Sequence, residues 1–175
     1  MTKEVFSSFV DQYGDDVYAF CGYLTGNAHD RDDLFQDTFL LAIQKMDKIQ
    51  NDGNIKSYFL SLSIGLWKNL VRKRKVRQFL TGETSLEEDE TLQIPDKKIG
   101  TEDSIIQEEE LSYLRKQISL LPDKQRIPII LYYLEELSQE QIAACMQLPV
   151  GTIKSRLCAG RKKLKERMEA AGYDR

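Results

Sequence analysis

The chain has 175 residues, 41% hydrophobic and 30% charged, with a formal net charge of −3 and a single histidine, which leaves room for one ordinary domain or two small ones. Its three cysteines, Cys21, Cys145 and Cys158, show neither pair spacing nor metal-ligand spacing, which argues against a disulfide framework or a zinc site and fits a reducing cytoplasm. The first residues carry acids where a signal peptide needs an apolar stretch, and the uncharged segment Ser57 to Trp67 is too short and serine-rich to span a bilayer, so no membrane contact of its own is expected.

Val5, Phe9, Val10, Val17, Phe20 and Leu24 recur at helical spacing and predict a first helix that stops at Thr25, Gly26 and Asn27. A second helix is expected after Asp30. It sets Leu34, Phe35, Phe39 and Ile43 on one side against Asp32, Asp33, Asp37 and Gln44, with an acidic first turn that suits the helix dipole. Gln50 to Asn54 reads as a loop around Gly53. A long helix follows from near Ile55, with Phe59, Leu62, Leu66 and Leu70 predicted as its core face. It ends in KNLVRKRKVR, where six of ten residues are Lys or Arg. Such an end binds anions or is merely solvated, and composition favours neither.

Residues 79 to about 100 lack periodicity and hold Gly82, Pro95 and Gly100 among acids, the composition of a tether. The charge is unevenly spread. Residues 1–78 carry 11 basic against 10 acidic side chains, residues 79–113 carry 2 against 11, and residues 114–175 carry 12 against 7. Both ends can therefore be locally basic although the sequence pI is near 5.4. A helix resumes after Thr101 through Ile105, Ile106, Leu111, Leu114, Ile118 and Leu121, and Leu121-Pro122-Asp123 is expected to end it and cap the next. Pro128 is expected among the unpaired early amides of that next helix, with Ile129, Ile130, Tyr133 and Leu134 as its core face.

Ser138 to Lys165 is the most informative stretch. Ser138 and Gln141 form a capping-box start, and Ile142, Ala143 and Met146 give a short helix one apolar stripe. Pro149 and Gly151 break it, and a second helix restarts near Thr152. Its Ile153, Leu157 and Leu164 can face the first helix while Lys154, Arg156, Arg161, Lys162, Lys163 and Lys165 remain for phosphates and base edges. This is a DNA-reading helix-turn-helix, and three helices precede the recognition helix in its domain. The bland alternative is a solvated basic face on a helical hairpin.

With these motifs in place, the chain resembles the small bacterial sigma factors of the extracytoplasmic-function group over nearly its full length. DRDDLFQDTFLLAIQKMDKI is similar to the family's core-polymerase-binding helix, LPDKQRIPIILYYLEELSQEQIA to the start of its second domain, and PVGTIKSRLCAGRKKL to its recognition helix. The resemblance implies an all-α protein of two small helical domains joined by an acidic linker: residues 1–78 for core polymerase and the −10 element, 79–113 as linker and helix start, and 114–175 for the −35 element. It implies that Asp33, Leu34, Phe35, Gln36 and Phe39 meet the polymerase, although at least one of Leu34, Phe35 and Phe39 also suits the core. By the same resemblance the 50–54 loop with Lys56, Lys68, Asn69, Arg72 and Arg74 engages the −10 element, and Thr152, Lys154, Ser155, Arg156, Cys158, Arg161 and Lys162 meet the −35 element. The implied partners are core RNA polymerase, promoter DNA and an anti-sigma factor, with no cofactor or metal. In the polymerase complex the linker would follow the path of nascent RNA, its carboxylates imitating phosphates; a solvated spacer explains its composition as well.

Two departures from the family pattern stand out, one on the long helix and one on the recognition helix. Gly65 stands where members commonly carry an asparagine near the separated −10 bases, with Ser61 at a commonly basic position nearby, and Cys158 and Ala159, followed by Gly160, stand where members often have a bulky or basic pair. An enzyme is not expected: His29 sits beside a helix start, and no phosphate-cradling glycine loop appears. A stand-alone helix-turn-helix regulator explains residues 114–165 but gives the helix at 32–43 and the basic helix no task.

Overall fold

The computed structural model describes residues 2–45, 54–81 and 105–173. Among these residues the chain is all helical: α1 (Lys3–Leu24), α2 (Ala28–Gln44), α3 (Ile55–Thr81), α4 (Ile105–Ser119), α5 (Asp123–Tyr133), α6 (Gln139–Met146) and α7 (Val150–Ala170). They form two compact units, α1 to α3 and α4 to α7. The 50–54 loop, apart from Asn54, and most of the acidic segment lie outside the described residues.

In the first unit each helix packs on the other two. Phe6 of α1, Phe39 of α2 and Phe59 of α3 meet at its centre, with ring centroids 6.4, 6.1 and 5.0 Å apart. Burying each of these rings contributes about 1.5–3 kcal/mol. Phe6 escaped the predicted stripe, which held Val5, Phe9 and Val10; those three are only partly buried. On α3 the buried residues are Ile55, Phe59, Leu60, Ser63, Ile64 and Trp67. The predicted Leu62, Leu66 and Leu70 are partly buried on the flank, so the core face is rotated from the leucine stripe toward the aromatic side chains. Cys21, Thr38 and Ser63 bring one polar group from each helix into this interior. Ser63 Oγ lies 3.1 Å from Thr38 Oγ1 and accepts from the Cys21 thiol at 3.8 Å. Burial, opposed by the two hydroxyls, pushes that thiol up to about 12.

Helix boundaries also differ from expectation. α2 begins at Ala28 rather than after Asp30, because Asn27 is its N-cap: the Asn27 side chain accepts from the Asp30 amide at 2.8 Å. Asn54 caps α3 in the same way, accepting from the Ser57 amide at 3.0 Å. α3 runs on to Thr81, three residues past the expected end of its domain.

In the second unit α7 packs against α4, α5 and α6. Pro122, not Asp123, precedes α5, and it offers no capping side chain; Asp123 instead accepts from Arg126 Nη2 at 2.7 Å. Pro128 falls later than expected. The amides of Gln125 and Arg126 already bond the Pro122 carbonyl, so the missing proline amide removes a bond inside the helix rather than at its unpaired edge. Ile129 and Ile130 are buried as predicted, whereas Tyr133 is exposed and Leu134 partly buried at the end of α5.

Candidate nucleic-acid and polymerase interfaces

The helix-turn-helix is built by α6 and α7. The Ser138 hydroxyl accepts from the Gln141 amide at 3.2 Å, and the Gln141 side chain accepts from the Ser138 amide at 2.8 Å, completing the expected capping box. The turn works differently from its sequence reading. Gly151 is the second residue of α7, and the chain reverses at Gln147, whose φ of 56° is left-handed. The Gln147 amide bonds the Ala144 carbonyl and the Leu148 amide bonds that of Ala143, the pairing of a Schellman stop, which favours glycine at this position. α7 then starts at Val150, two residues before the predicted Thr152, and no side chain caps it.

Ile153, Leu157 and Leu164 are buried as predicted, and Gly160 joins them. A Cβ on Gly160 would stand 3.0 Å from Ile129 Cγ1, so the absent side chain lets α5 approach α7. That role has no signature in the local pattern, since the partner comes from another helix. The opposite face carries Lys154, Ser155, Cys158, Arg161 and Lys162, all exposed, with Thr152 and Arg156 partly buried along its edge. Lys162 lies 3.9 Å from Glu166 and Lys165 lies 3.5 Å from Glu169. Arg156 has no carboxylate partner among the described residues, whereas Lys154 acts on Glu140 of α6, whose carboxyl is held below the usual range by its own backbone amide, by the Ser138 hydroxyl and by the Lys154 charge.

On α3, Lys68, Asn69 and Arg72 are exposed together. Ser61 and Gly65, which depart from the family pattern, continue the same stripe at spacings of three and four, with Gly65 exposed and open to solvent. Lys56 and Arg74 do not join this set. Lys56 is about 18 Å along the helix from Lys68, and its ammonium is 2.7 Å from Asp16 of α1. Arg74 Nη2 lies 2.7 Å from both carboxylate oxygens of Asp30 in the first turn of α2.

The five positions on α2 expected to meet polymerase also divide. Asp33 and Gln36 are exposed, Phe35 is partly buried between Tyr18 and Phe39 at centroid distances of 5.2 and 4.9 Å, and Leu34 and Phe39 are core. Leu34 and Phe39 therefore support the face from below. Two apolar side chains missed as candidates lie on the outside instead: Leu40 is 56% and Ile43 50% exposed. With Asp33, Gln36 and Asp37 they make an acidic and apolar surface on one side of α2. Ile43 was expected on the core side; its spacing from Phe39 permits either, and the bundle turns it out.

No cluster of metal-ligating side chains and no helix long and apolar enough to cross a membrane occurs among the described residues. The family model Sigma-70 region 2 matches residues 9–77, and Sigma-70, region 4 matches residues 111–164. The ECF RNA polymerase sigma factor SigW of Bacillus subtilis (strain 168) is 30% identical over 168 residues, covering 95% of this chain and 90% of that protein. Among solved structures, the sigma factor RpoE of Bartonella quintana, in complex with the anti-sigma factor NepR, is similar with a TM-score of 0.78 and 26% identity, covering 98% of this chain and 99% of that one. CnrH, in complex with the cytosolic domain of CnrY, shares the fold with a TM-score of 0.66 at 19% identity, over 97% of this chain and 90% of that one.

Proposed function

The chain belongs to the sigma-70 family, as an extracytoplasmic-function RNA polymerase sigma factor that directs transcription initiation, and from that premise we propose how its surfaces divide the work. Residues 1–78 bind core polymerase through the exposed side of α2 and the −10 element through the α3 stripe of Lys68, Asn69 and Arg72. Residues 114–175 read the −35 element with α7, and residues 79–113 join the two. The observation that carries this reading is the outward face of α7, where Lys154, Ser155, Cys158, Arg161 and Lys162 stand over a fully packed inner stripe. A rigidly seated basic helix with an uncapped first turn fits a major groove and its phosphates.

The chain works in the cytoplasm without a cofactor or catalysis of its own, the polymerase supplying the chemistry. An anti-sigma factor restrains it, as NepR is bound to the similar RpoE. Reconstitution tests the reading: the purified chain added to bacterial core polymerase is expected to give transcripts from a fixed start on a matched promoter. DNA binding by the chain alone, with no gain in specific initiation when core enzyme is present, would instead establish the stand-alone regulator.

A further inference from the structure

From Arg72 to Leu80, α3 lies outside the core, every side chain exposed; its last buried residue is Trp67. Arg74 among them is nonetheless tied to another helix. Arg74 Nη2 donates to both carboxylate oxygens of Asp30, 2.7 Å each, across from α3 to α2. Asp30 is prepared for this contact. Its amide is held by the Asn27 side chain and its Oδ2 accepts from Asn27 Nδ2, each at 2.8 Å, and its side chain is 15% exposed. Burial alone would raise this carboxyl, but the hydrogen bonds from Arg74 and Asn27 outweigh it and hold it below the usual range, so it is ionised at neutral pH.

We propose that Asp30 and Arg74 are a positioning pair, which fixes the basic end of α3 against the first turn of α2 so that the DNA-facing stripe and the polymerase-facing surface are presented as one body. The inference rests on the proposed division of promoter and polymerase contacts. It removes Arg74 from the phosphate-binding set, for a physical reason. Turning Arg74 toward DNA would break a charge-assisted contact and leave the Asp30 carboxylate, already desolvated, without its cation. Asp33 follows Asp30 by one helical turn, so a shift of α2 at the pair also moves the surface offered to polymerase.

A phosphate ligand and a positioning residue respond in opposite ways to changes at Asp30. Asp30→Asn keeps the cation at 74 and removes only the acid. For the full chain with core polymerase on a matched promoter, it is expected to weaken promoter binding roughly fivefold, with the salt slope unchanged. In the free chain it is expected to speed amide hydrogen exchange over residues 68–81. The exchanged pair, Asp30→Arg with Arg74→Asp, is expected to bind better than Arg74→Asp alone. The proposal is overturned if Asp30→Asn binds promoter as well as or better than the unaltered chain, if the exchanged pair is no better than Arg74→Asp, or if Arg74→Ala lowers the salt slope by about one, the mark of a lost phosphate contact. Should the unaltered chain fail to bind promoter with core enzyme, the division of contacts is wrong. The exchange measurement on the free chain then decides the pair by itself, and unchanged protection over residues 68–81 in Asp30→Asn overturns it.

Discussion

Gly65 and Gly160 both lie inside continuous helices, and their surroundings give them opposite consequences. Replacing a helix-interior glycine with alanine gains about 1 kcal/mol of helix propensity. Gly65 has nothing within 4 Å of an added Cβ, so Gly65→Ala is expected to stabilise the first unit by about that amount. At Gly160 the Cβ meets Ile129 Cγ1 at 3.0 Å and Cδ1 at 3.4 Å, and overpacking costs about 1–3 kcal/mol. Gly160→Ala is therefore expected to lower the second unit's stability by up to about 2 kcal/mol; a rise in its urea midpoint would show that Ile129 yields instead. On the outward side of α7, Arg156→Ala is expected to cost about 1–3 kcal/mol of promoter affinity and relax base preference, whereas Lys162→Ala lowers affinity evenly and reduces the salt slope by about one. Footprints over a randomised upstream element check both, and unchanged preference with Arg156→Ala reassigns that residue to a phosphate. The basic character of α3 and α7 was legible in the chain. That Lys56 and Arg74 are engaged by Asp16 and Asp30 was not, because each partner sits on a different helix.

At the level of single helices, α6 is only 8 residues long and depends on its ends. Ser138→Ala removes the acceptor for the Gln141 amide and is expected to cost about 1 kcal/mol, measured as a lower melting temperature of the second unit. Gln147→Gly relieves the left-handed backbone of the turn and is expected to return a similar amount, about 1 kcal/mol. An unchanged melting temperature in both variants would mean that packing of α6 on α7 alone fixes the turn. α2 separates contact from support in the same manner. Asp33→Arg, on the exposed side, is expected to weaken core-polymerase binding by about 2–5 kcal/mol if the contact is desolvated, leaving the fold intact. Leu34→Ala is expected instead to destabilise the first unit by about 2–5 kcal/mol, as loss of a buried leucine does. Pull-down with core enzyme and thermal melting, run on both variants, distinguish the two roles; equal melting losses would place Asp33 in the fold as well. The capping box was readable from Ser138 and Gln141 alone, because its bonds span three residues. The rotation of the α3 core face was not, because leucines and aromatics at neighbouring positions satisfy the same period.

For the molecule as a whole, the acidic residues between the two helical units carry most of the charge imbalance, with 2 basic against 11 acidic side chains over residues 79–113. Replacing Glu87, Glu88, Asp89 and Glu90 by Ser and Gly at constant length separates their charge from their reach. If the acids follow the RNA path within polymerase, the replacement is expected to alter the ratio of abortive to full-length products on a matched promoter while core binding stays intact. An unchanged ratio would leave these residues the task of spacing alone. The same charge distribution reconciles a pI near 5.4 with the DNA-facing role proposed for α7: binding responds to the local field of that helix, within roughly a Debye length, rather than to the sum over the chain.

The sequence by itself determined the all-helical class, the helix-turn-helix with its capping box, the basic ends of α3 and α7, and the family to which the chain belongs. The first three rest on spacing within one helix or one turn, where sequence distance is spatial distance, and the family rests on the resemblance of three motifs and their order along the chain. Only the tertiary structure decided that Leu34 and Phe39 are core while Leu40 and Ile43 face outward, that Gly160 admits Ile129, and that Arg74 holds Asp30. The physical reason is common to all three. An amphipathic pattern fixes the period of a helix but not its rotation, and that rotation is set by side chains on other helices, far away in the chain, which compete for the same interior space.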